Sequence, residues 1–184
     1  SSAASDVYKR QILGMMDGLI SNTVNQYINE ETERDQWNLV GLRDYFLGWI
    51  TDDNDLDYEP EELERLTVKD IVEQLTEKVK TLYAAKEEEY GAEVMRELER
   101  VVLLKVVDTK WMAHIDDMNE LKKGIGLRAY GQQNPVVEYR YEGFQMYDEM
   151  VASIQEDTIR MLLTVRLQKN EAPQREQVSK PIQD

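Results

Sequence analysis

Val106–Tyr130, VVDTKWMAHIDDMNELKKGIGLRAY, decides the fold of this chain. Leu104, Val107, Trp111, His114, Met118, Leu121 and Ile125 recur at alternating spacings of three and four, the seam of a helix packed along a partner. The run then meets Gly124, Gly126 and Gly131, each costing a helix about 1 kcal/mol relative to alanine. The spacing therefore predicts a helix that stops near Gly124. Asn134 suits an N-cap and Pro135 the first position of a second helix. Val137, Tyr141, Phe144, Val151, Ile154, Met161 and Val165 supply its apolar positions. A helical hairpin results, with arms of about 27 residues and about 40 Å. Its tip is basic, with Lys122, Lys123 and Arg128 against Glu120 alone, and it carries Tyr130.

The rest of the chain is helical as well. Val7–Ile28 reads as one helix, with Met15, Met16, Leu19, Ile20, Val24, Tyr27 and Ile28 on its apolar side. Short helices follow. Trp37, Leu39, Val40, Leu42, Tyr45, Phe46 and Trp49 cluster in the first, which Gly41 and Gly48 interrupt. Past the acidic loop TDDNDLDYEPEE, Thr67 and Asp70 form a capping-box pattern. Val68, Ile71, Val72, Leu75, Val79 and Leu82 then mark a buried face. No alternating run signals a strand. The fold class is all-α: a wing of short helices, and a long antiparallel two-helix hairpin packed with a scaffold helix. Four segments result, 1–29, 30–91, 92–168 and a tail at 169–184 that reads as disordered.

Charge and chemistry exclude several functions. The net charge is −15, and residues 30–99 hold 22 acidic against 8 basic side chains. Such a surface repels a phosphate backbone, which argues against a nucleic-acid partner. The basic tip differs and could face anionic lipid or an acidic channel mouth; it also reads as a solvated helix end. Cysteine is absent, which rules out disulfides and thiolate metal sites. No apolar run reaches the ~20 residues of a membrane span. Asp53, Asp55, Asp57 and Glu64 mimic a calcium loop, but Tyr58 stands where the sharp turn demands glycine. His114, the single histidine, has no nucleophile or ligand set beside it and reads as packed next to Trp111. Asp116 and Asp117 diverge by about 100° on a helix and cannot act as a facing pair. A phosphate-cradling GxxxxGK[ST] run is missing, so no catalytic residue is assigned and the chain is not expected to bind ATP.

The run Val106–Ile154 resembles the two-helix finger of the SecA family of ATP-driven preprotein translocases. Gln36–Ile50 and Leu66–Val102 are similar to that family's helical wing and its return to the helical scaffold. The likeness spans Ile12 to Arg166 and is densest at Trp111, Met112, His114, Ile115 and Asp116 and from Gly124 to Gln132; Ser1–Arg10 fit it poorly and read as a foreign or truncated start. The resemblance implies that ATP and magnesium are held by nucleotide-binding domains upstream. It implies a SecY-type channel, an unfolded preprotein and the remainder of the translocase as partners, with anionic lipid near Lys122 and Lys123. It implies a peripheral place on the cytoplasmic face of the bacterial inner membrane. It also implies that Tyr130, with Leu127, Arg128 and Gln132, touches the moving polypeptide. A phenol suits that role, because its ring and hydroxyl grip varied sequences at little entropic cost. The residues alone leave a second class open, a self-standing helical adaptor without a motor. The two differ in whether a nucleotide-binding half precedes Val7.

Overall fold

In the computed structural model of the chain, which describes residues 2–128 and 134–168, six α-helices and a short 3-10 turn at Arg34–Gln36 make up the regular structure. The described residues contain no strand, only an isolated bridge between Leu47 and Thr51. The helices are α1 (Ser2–Tyr27), α2 (Leu39–Tyr45), α3 (Pro60–Leu63), α4 (Val68–Tyr90), α5 (Ala92–Arg128) and α6 (Pro135–Thr164).

Helix α1 is the hub, packed against α2, α4, α5 and α6. Its buried residues Ile12, Met16, Leu19, Ile20 and Val24 follow the helical repeat, and Ile28 is buried just past its end. Met15 and Tyr27, expected among them, are only partly buried. The helix begins at Ser2 and so includes the segment that reads as foreign.

The wing packs on α1 through α2 and α4. Helix α2 is seven residues long and runs through Gly41 rather than stopping there. Asn38 caps it, its side-chain oxygen accepting from Gly41 N at 3.0 Å. Trp37, Phe46 and Trp49 lie outside the helix but inside the core, whereas Val40, expected with them, is exposed. The aromatic rings do the packing here: Phe46 sits 5.0 Å edge-on to Tyr45 and 5.2 Å from Trp49. In the acidic loop, Lys78 of α4 pairs with Asp55, and Asp52 lies 3.9 Å from the same ammonium.

Helix α4 starts at the predicted capping box. Thr67 Oγ1 accepts from Asp70 N at 3.1 Å, and Asp70 Oδ2 accepts from Thr67 N at 2.9 Å. Thr67→Ala is expected to cost about 1 kcal/mol, read as a lower urea midpoint with an unchanged slope. Val68, Ile71, Leu75 and Val79 are buried as expected, but Tyr83 and not Leu82 completes the face.

The hairpin differs from its sequence reading in two ways. Helix α5 does not stop near Gly124; it continues through Gly124 and Gly126 to Arg128. Thirty-seven residues make it about 55 Å long. Two glycines cost only about 2 kcal/mol, which one long side-by-side helical contact offsets. The seam also runs along another line. Leu104, Val107 and Trp111 are exposed, and Met95, Glu99, Val102 and Val106 are buried in their place. Only from His114 onward, through Met118, Leu121 and Ile125, do the expected positions turn inward. On α6 likewise, Val137, Tyr141 and Phe144 are exposed, while Met150, Ile159 and Leu162 are buried.

Candidate functional site

Helices α5 and α6 lie antiparallel, as the pairing of their side chains shows. Lys110 Nζ meets Asp157 at 2.9 Å, the His114 ring lies 6.1 Å from Tyr147, and Met118 packs over Gly143. A Cβ at Gly143 would stand 3.1 Å from Met118 Cε, so the glycine lets the two backbones close up. His114 also lies 5.6 Å from the Trp111 ring, the packed position expected of it. The main core takes in α5 only as far as Val106 and α6 only from Ile154 onward. Beyond Val106 the twenty-two remaining residues of α5 reach about 33 Å past that core. Asn134 caps the returning helix as expected, accepting from Val136 N at 3.1 Å, with Pro135 in the first turn.

The candidate site lies at the far end of this arm. Leu127 is 76% exposed, an apolar side chain presented almost entirely to solvent. Ile125, two residues earlier, is buried. Lys122 and Lys123 are both exposed, and Lys123 Nζ meets Glu120 at 3.3 Å. Arg128 is the last residue of α5. Tyr130 and Gln132 lie outside the described residues.

The base of the arm holds residues that the sequence reading missed. Helix α4 ends at Tyr90 and α5 begins at Ala92, joined by Gly91 at φ 89°. Around this joint Glu99 is fully buried. The Tyr83 hydroxyl donates to one Glu99 oxygen, and Arg96 Nε donates to the other at 2.6 Å. Arg96 Nη2 also donates to Glu87 at 2.6 Å, and Lys9 of α1 meets Glu87 at 3.1 Å. Burial and the bond to Glu99 push the Tyr83 hydroxyl well above its ordinary range, so it remains a donor. A glutamate standing in an otherwise apolar seam position was the available signal.

Two further contacts tie the hairpin to the wing. Arg160 of α6 lies over the Trp49 ring at 4.6 Å. Burial and Glu156 push the neighbouring Tyr45 hydroxyl up to about 12. Lys86 of α4 donates to the carbonyls of Leu163 (3.1 Å) and Val165, satisfying the end of α6.

Titration of this framework has a defined sign. Burial alone would raise Glu87 and Asp55, but Arg96 and Lys9 for the first, and Lys78 for the second, outweigh it and hold both below the ordinary carboxylate range. A carboxyl whose folded value is depressed stabilises the fold above its unfolded value of about 4, and that contribution is lost as pH falls through the folded value. Thermal melts followed by circular dichroism are expected to hold steady between about pH 7 and pH 5 and to fall below about pH 4.

The geometry defines an all-helical module: a wing folded on a scaffold helix, with a long hairpin leading away from both. The chain belongs to the SecA Wing and Scaffold family, whose description matches residues 3–166. It is 41% identical over 174 residues to the protein translocase subunit SecA of Acetivibrio thermocellus, covering 95% of this chain and 19% of that protein. It is 44% identical over 180 residues to protein translocase subunit SecA 1 of Alkaliphilus metalliredigens, covering 98% and 20% respectively. Over 120 residues it is 56% identical to the SecA of Clostridium tetani, covering 65% and 14%. The chain thus spans about a fifth of the length of the first two of these relatives.

Proposed function

We propose that this chain supplies the finger of an ATP-driven protein translocase, and that the hairpin tip engages a SecY-type channel and the preprotein passing through it. One observation carries the reading: an arm extending about 33 Å past the core and presenting exposed Leu127 beside exposed Lys122 and Lys123. An arm of that kind buries little of its own surface and gains by insertion into a partner. Tyr130, with Leu127, Arg128 and Gln132, is assigned to the moving polypeptide. Lys122 and Lys123 are assigned to the acidic channel mouth or to anionic lipid head groups. ATP and magnesium are assigned to motor domains outside this chain, and the working place is the cytoplasmic face of the inner membrane. Among the described residues no helix is long and apolar enough to cross a membrane.

The test is made in the complete translocase carrying this segment. This chain has no cysteine, so Tyr130→Cys in a parent made cysteine-free elsewhere gives one reactive position. With a preprotein trapped midway, adducts to substrate and channel mouth are expected. Tyr130→Ala is expected to lower the translocation rate about tenfold, equivalent to about 1.4 kcal/mol on the barrier, with helicity unchanged. Translocation at the parent rate without any adduct would remove the tip from the mechanism and reduce the hairpin to scaffold.

A further inference from the structure

We propose that Tyr83, Glu87, Arg96 and Glu99 form a fixed joint that sets the angle between α4 and α5, making them positioning residues for the hairpin tip. The mechanical claim stands on the structure alone; its consequence for translocation rests on the function proposed above.

The link between the two helices is one residue, Gly91. A Cβ built there meets nothing within 4 Å, so packing does not brace it. Glycine at φ 89° also moves through backbone space more freely than any other residue. Both helices rest on α1, and the angle between them is fixed further by side chains that cross the joint. Arg96 of α5 reaches back to Glu87 of α4, and Tyr83 of α4 reaches across to Glu99 of α5. Arg96 also holds both Glu99 oxygens, at 2.6 and 3.0 Å, while Lys9 fastens Glu87 to α1. Three helices are thereby referred to one guanidinium, whose planar fork admits a single geometry.

Leverage makes that geometry matter. From Arg96 to Arg128 the arm is about 48 Å long, so a swing of about 5° at the joint displaces the tip by about 4 Å. That is enough to take a side chain out of contact. The composition of the joint points the same way. A buried ion cluster is often no more stable than apolar residues of like volume, and what it can supply instead is a unique arrangement.

The decisive variant is Arg96→Met combined with Glu99→Leu, which replaces the cluster with apolar packing. It is made in the complete translocase, with spin labels at Glu77→Cys and Asp108→Cys, both exposed positions. We expect an interspin distance distribution wider by several ångström and slower translocation. A distribution as narrow as the parent's would overturn the joint, and a wide one with full translocation would overturn its positioning role. Should the double variant fail to fold, Tyr83→Phe, which removes a single hydroxyl, is judged by the same two readouts. The distance width reports on the joint, while the effect of Tyr130→Ala reports on the translocation reading. Either can therefore fail without the other.

Discussion

Arg96→Ala is expected to destabilise the folded chain by about 3–5 kcal/mol, the loss seen when a buried ion pair is broken on one side. The side chain it removes is the counter-charge of Glu99, which has no exposure to solvent, and of Glu87, which has little. Tyr83 would then be the remaining donor to Glu99, and one phenol cannot replace a guanidinium holding both oxygens. Denaturant unfolding of the parent and the variant at pH 7 measures the loss. A loss below about 1 kcal/mol at pH 7 would mean that the cluster is far better hydrated than its burial indicates.

Phe46→Ala is expected to cost a similar amount, about 3–5 kcal/mol, for a different reason. The ring is fully buried at the centre of the wing, between Tyr45 and Trp49. Its own carbonyl accepts from Ile50 N at 3.0 Å and Thr51 N at 3.1 Å, so the turn after α2 is built around this residue. Deleting the ring leaves a cavity that rigid neighbours cannot fill. The damage should centre on the wing. Near-ultraviolet dichroism and fluorescence of Trp37 and Trp49 should change first, while Trp111, which lies outside the core on α5, keeps its parent environment until global unfolding. Simultaneous change at all three would show the wing and the hairpin unfolding as one unit.

These two sites also show what kind of information the sequence holds. Phe46 was legible, because an aromatic cluster near a capped helix has few places to go but inward. Thr67 and Asp70 were legible, since a capping box is satisfied by its own backbone within four residues. Asn134 and Pro135 were legible for the same reason. The seam of α5 was not. A count of apolar positions favours Leu104, Val107 and Trp111, whereas the true line passes through Glu99 and Lys110, which are met by Tyr83 of α4 and Asp157 of α6, with Arg96 one turn before Glu99 on α5 itself. Partnered polar groups defeat an apolar pattern, because partners such as Tyr83 and Asp157 are distant in the chain. The glycines near the tip misled for a related reason: a weak propensity is decided by the helix alongside.

The sequence by itself determined the helical class, the capped starts of α4 and α6, the hairpin and the family, because each rests on local hydrogen bonding or on an ordered run of residues. Only the tertiary structure decided which face of α5 turns inward, that α5 runs on to Arg128, and that a buried cluster spans the joint at Gly91. Those features depend on which side chains from distant positions arrive to neutralise a charge or cover a stripe. Burial energies are set by that encounter and not by the neighbours along the chain.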